Sequence, residues 1–122
     1  MFFVVDDKSW RVLKSFNFRD KLYAVDVTLQ FLDYGEGIRG GRVDYMEKEN
    51  GEDRFAISLS DPRCLSVLVH ECLHLVKGIF RERGIPFTAE NDEAIAYYQE
   101  WWFEKLWQKC CDEIGKEEKK ET

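Results

Sequence analysis

The two histidines of the chain lie four residues apart, at positions that could hold one metal ion. His70, Glu71 and His74 form the pattern H-E-x-x-H. On an α-helix, four residues turn through about 400° and rise about 6 Å, so both imidazoles project from one face. At that spacing the two rings can reach one zinc ion at about 2.0–2.1 Å. Glu71 lies about 100° further round, where its carboxylate can take a proton from a zinc-bound water as general base.

A catalytic zinc ion needs a third protein ligand, and no further histidine is present to supply it. We expect this ligand to be Glu93, because a tight turn after the first helix would return the second helix to the histidine face. Glu90 and Asp92 are rival ligands in the same segment. Two histidines and one carboxylate also suit iron, but the helical H-E-x-x-H spacing favours zinc.

Two other interpretations of the motif remain open. In the first, zinc is structural, and a fourth protein ligand such as Cys64 closes the site. In the second, no metal is bound, and His70 and His74 lie on the polar face of an amphipathic helix. Chelation would then leave the thermal stability unchanged, whereas a zinc site formed in the folded state would lose stability.

The helix that carries the motif has clear sequence boundaries. Asp61 is predicted to be its N-cap, with Pro62 in the first helical position. Gly84 and Pro86 predict its end. Between them, apolar residues at spacings of three and four define a wide buried face, namely Leu65, Leu68, Val69, Cys72, Leu73, Val76, Ile79 and Phe80.

A second helix rich in aromatic residues is predicted to follow. Thr88 or Asn91 can cap it, and its apolar pattern runs to about Ile114. We expect it to pack between the sheet and the first helix. Because Trp101 and Trp102 are adjacent, they cannot both face the core, so one of them is expected to be exposed.

The first half of the chain predicts strands. Alternation of apolar and polar residues over 23–31 is the clearest signal. Asn50-Gly51 indicates a hairpin turn, and the glycines from Gly35 to Gly41 indicate a loop. Further strands are predicted at 2–5, 42–47 and 54–60, while 7–18 fits a helix and a strand equally well.

Strands followed by helices predict an α+β fold, in which a small, mostly antiparallel N-terminal sheet packs against two long C-terminal helices. Residues 1–115 are expected to form one domain, and 116–122 a charged, disordered tail. Twenty-four acidic against 18 basic residues, a net charge of −6, argue against nucleic-acid binding. No apolar run is long enough to span a membrane, and no secretory signal is recognisable, so we expect a cytoplasmic protein with four reduced cysteines.

The motif, together with Asn91-Asp92-Glu93-Ala94-Ile95-Ala96, resembles the gluzincin zinc metallopeptidases. In size and element order the chain is similar to the minimal single-domain gluzincins and to small phage-encoded metallopeptidases. The resemblance covers about residues 61–101, and it implies a zincin-like domain that hydrolyses peptide bonds. It also implies that His70, His74 and Glu93 bind zinc and that Glu71 is the catalytic base. A peptide or protein substrate would pair with strand 54–60 as the edge strand.

Two residues of the gluzincin pattern are absent. Where thermolysin-like enzymes have an aspartate that supports a zinc ligand, four residues beyond the glutamate ligand, this chain has Tyr97. The distant histidine that stabilises the oxyanion has no counterpart either. Tyr97 is a candidate for that role or for support of the metal ligands. The other candidate donors are Tyr34, Tyr45, Tyr98, Arg81 and Arg83.

Overall fold

The computed structural model describes residues 11–33, 40–47 and 53–121. The expected strand at 2–5, the Asn50-Gly51 turn, Tyr34 and most of the glycine-rich loop lie outside these ranges. Strands precede helices, which confirms the predicted α+β fold. The elements are β1 Arg11–Asp20, β2 Val25–Asp33, β3 Gly41–Glu47, β4 Asp53–Leu59, α1 Leu65–Glu82, a 3₁₀ turn Ala89–Asn91 and α2 Asp92–Glu121.

The sheet is mixed, with the strand order β1-β2-β4-β3. β1 pairs with β2 and β3 pairs with β4 in antiparallel fashion, as expected for a hairpin in the second case. β2 and β4 are parallel neighbours, and β3 pairs with the edge of β4 that faces away from β2. The expectation that strand 54–60 is an edge strand is therefore wrong. Both edges of β4 are already hydrogen-bonded, and the edge strand that contacts α1 is β3.

One face of the sheet forms the core with the two helices. The predicted strand at β2 is present and its inward apolar side chains are almost fully buried, but it is not half-buried as expected, since Thr28 and Gln30 on the other face are only 1% and 2% exposed. β1 resolves the ambiguity of 7–18 in favour of a strand, since Phe16 and Phe18 both pack against this core. α2 lies beside α1 and contributes Trp102, Leu106 and Cys110. The buried side chains of the two inner strands are Val25, Val27, Leu29 and Phe31 in β2 and Phe55, Ile57 and Leu59 in β4.

α1 begins three residues later than the sequence suggests. Its N-cap is Cys64, and the side chain of Cys64 caps nothing. Asp61 instead closes a turn before the helix, because its Oδ1 accepts a hydrogen bond from Arg63 N at 2.8 Å and its carbonyl oxygen accepts one from Cys64 N. The prediction of Asp61 as N-cap is thus wrong. An Asx turn satisfies the aspartate locally, with Pro62 inside the turn.

The predicted end of α1 is confirmed. Gly84 adopts a positive φ of 69°, just beyond the C-cap Arg83. Gly84 N donates to Arg81 O at 3.2 Å, and Ile85 N donates to Phe80 O at 2.9 Å. This pair of bonds is a Schellman motif, which needs a left-handed residue and therefore favours glycine.

α2 is longer than predicted, since it continues from Asp92 to Glu121. The predicted charged tail over 116–122 overlaps this helix at residues 116–121. Ion pairs line this last stretch: Arg63 Nη2 lies 2.8 Å from Glu117 Oε2, and Lys116 Nζ lies 3.0 Å from Glu113 Oε2. Such pairs favour helix over coil in a segment too polar to be held by packing. As predicted for the tryptophan pair, Trp102 is fully buried and Trp101 is 40% exposed.

All four cysteines are free thiols, and Cys72 and Cys110 are fully buried. Burial raises the pKa of both of these thiols to about 12, so they are neutral and behave as small apolar side chains. In the described part of the chain, no helix has both the length and the apolar character needed to cross a bilayer.

Candidate metal centre

The H-E-x-x-H helix places both histidines on the open face of α1. The Nε2 atoms of His70 and His74 lie 3.2 Å apart, and the two rings meet edge to face. Two nitrogens that bind one tetrahedral zinc ion at about 2.05 Å would lie about 3.3 Å apart. The observed separation therefore fits two ligands of a single metal ion. The His70 side chain is 68% exposed, so the pair is accessible from solvent.

The histidines open into a cavity of about 610 Å³ between α1 and the edge strand β3. Its walls come from both elements and from Phe55 of β4. The lining residues are Gly41, Arg42, Val43, Tyr45, Phe55, His70, Glu71, His74, Lys77, Gly78 and Arg81. This polar cavity thus combines the histidine pair with β3, an edge strand of the sheet formed by residues 11–33, 40–47 and 53–59.

Glu71 lies in the same cavity, but on the side of α1 that packs under β3. It is only 7% exposed, and its Oε2 lies 4.0 Å from His70 Nε2. The contact requires a glycine in β3, since a Cβ on Gly41 would lie 2.9 Å from Glu71 Cγ and 2.7 Å from Val67 Cγ1. Glu71 is therefore held beside the histidines rather than pointed into bulk solvent, which is the position predicted for a general base.

A hydrogen-bonded network fixes the wall of the cavity at Tyr45. Tyr45 Oη donates to Asp53 Oδ1 at 2.6 Å, and Arg83 Nη1 donates to Asp53 Oδ2. Arg83 also donates through Nε to the carbonyl oxygen of Tyr23 at 2.7 Å. Burial disfavours the charged form of Asp53, but the hydrogen bonds from Tyr45 and Arg83 outweigh it and lower the pKa. The hydrogen bond to Asp53 raises the pKa of Tyr45.

The third ligand proposed from the sequence is not assembled with the histidines. Glu93 is exposed in the first turn of α2, and neither Glu93 nor its rivals Glu90 and Asp92 line the polar cavity. Within residues 11–33, 40–47 and 53–121, no three His, Cys, Asp or Glu side chains converge as a metal site. Cys64, which could have closed a structural site, therefore does not join the histidines either.

The candidate donors for an oxyanion separate into two places. Tyr97 is 68% exposed and lines a different cavity, so the structure does not bring it to the histidines. Tyr98 is buried, and its hydroxyl donates to Asp20 Oδ2. Only Tyr45 and Arg81 of the described candidates line the polar cavity. Tyr45 already donates its proton to Asp53, which leaves Arg81 as the cavity's donor among them.

Sequence reasoning missed Gly41, Arg42 and Lys77 as residues of the site. Lys77 carried a usable signal, because it follows His74 by three residues and so shares the histidine face of the helix. Gly41 and Arg42 carried none, since their role depends on β3 being the strand that contacts α1.

The second cavity, of about 480 Å³, lies between the β1–β2 turn and α2. It is lined by Asp20, Leu22, Tyr23, Ala94, Tyr97, Tyr98 and Trp101. We call it the aromatic cavity. Asp20 is its one carboxylate, and it accepts hydrogen bonds from Tyr98 Oη and from Leu22 N.

Comparison of the chain with protein-family models, with curated proteins and with solved structures gives no match. The residues of the polar cavity and their geometry are therefore the basis for a functional proposal.

Proposed function

We propose that the chain is a zinc-dependent peptidase of the gluzincin type, in which His70 and His74 bind the metal and Glu71 is the general base. The observation that carries the proposal is the 3.2 Å separation of the two Nε2 atoms, beside a buried carboxylate at the mouth of a cavity. Imidazole nitrogens at this spacing are typical ligands of zinc.

Zinc, when bound, would polarise a peptide carbonyl and lower the pKa of a bound water. Glu71 supplies the proton transfer: its carboxylate accepts a proton from the attacking water and delivers it to the nitrogen of the leaving amine. Burial under β3 limits the positions that this carboxylate can adopt.

The substrate is proposed to bind as an extended peptide along β3, instead of along strand 54–60. Among the described residues β3 pairs with β4 alone, so its other edge is proposed to offer backbone hydrogen bonds to a peptide. That strand also forms one wall of the polar cavity, through Gly41, Arg42, Val43 and Tyr45. A peptide paired there would lie across the histidines.

Glu93 remains our proposed third ligand, supplied by the first turn of α2. Its exposed side chain is not held by any hydrogen bond within the described residues, so the carboxylate is available to a metal ion.

A specific observation favours a second candidate function, a zinc-binding interaction protein with weak or no catalysis. Among the described residues, the two histidines have no third metal ligand beside them, so Glu93 would have to move to bind the metal. Tyr97, the candidate supporting residue, lies outside the polar cavity.

Zinc content per chain tests the metal centre directly. We expect about one zinc per chain by elemental mass spectrometry, loss of zinc in His70→Ala, and a lower melting temperature after chelation. Loss in Glu93→Ala would identify the third ligand, with Glu90→Ala and Asp92→Ala as matched controls in the same segment. A wild-type chain that takes up no zinc and is unaffected by chelation would overturn the metal centre and the peptidase with it.

Cleavage distinguishes the two candidate functions once zinc binding is established. A library of unstructured peptides incubated with the zinc-loaded chain should yield defined fragments if it is a peptidase. Bound peptides that remain intact would favour the interaction protein instead. Because all four thiols are free, we propose that either protein works in the reducing cytoplasm.

A further inference from the structure

We infer that Lys77 and Arg81 make the site selective for peptides that carry an acidic side chain on one side of the scissile bond. The inference rests on the proposed function, because it assigns the substrate class of that same polar cavity. It concerns the part of the α1 face that lies beyond the histidines, toward the end of the helix.

The charge of the cavity is opposite to that of the chain. Acidic residues outnumber basic ones by 24 to 18 in the whole sequence. The cavity lining instead has three cations, Arg42, Lys77 and Arg81, against one carboxylate, that of Glu71. Because Glu71 is assigned to proton transfer, the charges that are left to meet a substrate side chain are all positive. A cleft lined by one sign of charge favours ligands of the other sign.

The partners of the three cations single out Lys77 and Arg81. Arg42 Nη2 donates to the carboxylate of Asp44, so much of its charge is neutralised within β3. Arg81 Nε lies 3.4 Å from Glu82 Oε2, but the Arg81 side chain is 68% exposed, and such a surface pair is weak. Lys77 has no carboxylate within ion-pair distance among the described residues.

The ring of Phe87 lies near Lys77, with its centroid 5.8 Å from Lys77 Nζ. A contact of this kind orients the ammonium group without neutralising its charge. Lys77 therefore remains able to pair with a carboxylate of the substrate.

The spacing along α1 fixes where the acidic side chain should lie. Measured from the middle of the histidine pair, Lys77 is about 7.5 Å and Arg81 about 13.5 Å further along the helix axis. An extended peptide advances about 3.3 Å per residue. The two cations therefore face substrate positions about two to four residues from the scissile bond, on one side only.

Matched peptides test the preference. Peptides identical except for glutamate or alanine at each of these positions, on either side of the bond, are cleaved by the zinc-loaded chain. We expect glutamate on one side to raise kcat/KM by about three- to tenfold, the size typical of one or two exposed ion pairs. The gain should shrink as sodium chloride is increased, because salt screens exposed charges.

Charge reversal supplies the matched variants. Lys77→Glu should abolish the gain and favour the peptide with lysine at the same position. Lys21→Glu, in the exposed β1–β2 turn, changes the net charge equally and should leave the preference as in the wild type. An unchanged preference in Lys77→Glu together with Arg81→Glu, or equal effects of glutamate on both sides, would overturn the inference.

A binding experiment separates this inference from the proposed function. Dye-labelled glutamate and alanine peptides are titrated with zinc-loaded Glu71→Gln by fluorescence polarisation. If the wild type cleaves no peptide but the variant binds the glutamate peptide several-fold more tightly, catalysis fails and the charge selectivity holds. If peptides are cleaved and bound without preference, the selectivity alone fails. If neither peptide is bound or cleaved, both proposals are overturned.

Discussion

The polar cavity and the aromatic cavity use the same kinds of side chain in opposite ways. Each contains tyrosine and a buried carboxylate. In the aromatic cavity the carboxylate is that of Asp20, and both of its oxygens accept hydrogen bonds, one from Tyr98 Oη and one from Leu22 N. In the polar cavity Glu71 faces His70 at 4.0 Å and has no hydrogen-bond donor among the described residues. The first arrangement holds structure together, and the second leaves a carboxylate without a structural partner of that kind, which is why we propose it for proton transfer.

The comparison shows that the aromatic residues of α2 do not mark the site. Tyr97, a candidate oxyanion donor in the sequence, lines the aromatic cavity together with Trp101, and neither histidine lines that cavity. Glu71 gives the more telling signal, because a side chain that is only 7% exposed lines the polar cavity without a hydrogen-bond donor among the described residues. The following predictions test this division, from the largest expected effect to the smallest.

Replacing Glu71 should produce the largest effect. We expect Glu71→Gln to lower kcat for peptide cleavage by at least about 100-fold, since a general base contributes that much or more. Zinc content and melting temperature should stay close to those of the wild type. Glu104→Gln, on the exposed part of α2, is the matched control. Full activity in Glu71→Gln would refute the proposed mechanism.

Removing the charge of Asp53 should destabilise the wall of the polar cavity. Asp53→Asn leaves Arg83 without its carboxylate partner, so the free energy of unfolding should fall by about 2 kcal/mol at pH 7. The pKa of Asp53 is lowered in the folded state. Its stabilising contribution is therefore present above the ordinary pKa of about 3.9 and is lost as the pH falls through the lowered value.

Urea unfolding between pH 2 and pH 7 measures this contribution. The wild type should lose more stability than Asp53→Asn as the pH is lowered from about 5, and the two should converge at the acid end. Asp112→Asn, an exposed carboxylate on α2, should follow the wild type. Parallel pH profiles for the wild type and Asp53→Asn would show that the pairing with Arg83 adds nothing.

Two glycines in helices should respond with opposite signs. A Cβ on Gly78 would lie 2.8 Å from Cε2 of the buried Phe55 ring, so Gly78→Ala should push α1 away from β4 and cost about 1–2 kcal/mol. Gly115→Ala meets open space and should stabilise α2 by up to about 1 kcal/mol. Thermal unfolding measures both. Stabilisation by Gly78→Ala would show that the approach of α1 to the sheet is loose.

The aromatic cavity should give the smallest effect, confined to stability. Tyr98→Phe removes the hydroxyl that donates to Asp20, and we expect a loss of about 1 kcal/mol of unfolding free energy. Zinc content and kcat/KM should not change. A loss of activity greater than the loss of folded protein would contradict the division between the two cavities and assign the aromatic cavity a part in function.

Features set by neighbouring residues could be predicted from the sequence. The spacing of His70 and His74 on one helix, the strand at β2 and the glycine at the end of α1 all depend on local geometry, and the structure shows each of them. Even locally, Asp61 shows the limit. Its side chain can cap a helix or close an Asx turn, and only the fold chooses between them.

What only the tertiary structure decided depends on pairing between distant segments. Sequence periodicity predicts that 54–60 forms a strand, but not which strands lie beside it. In the structure β3 is the edge strand, and its residues Gly41, Arg42 and Tyr45 therefore line the site. The same holds for Glu93 and Tyr97, whose positions depend on how α2 packs against α1. Helical spacing determined the histidine pair, while long-range packing determined the cavity around it.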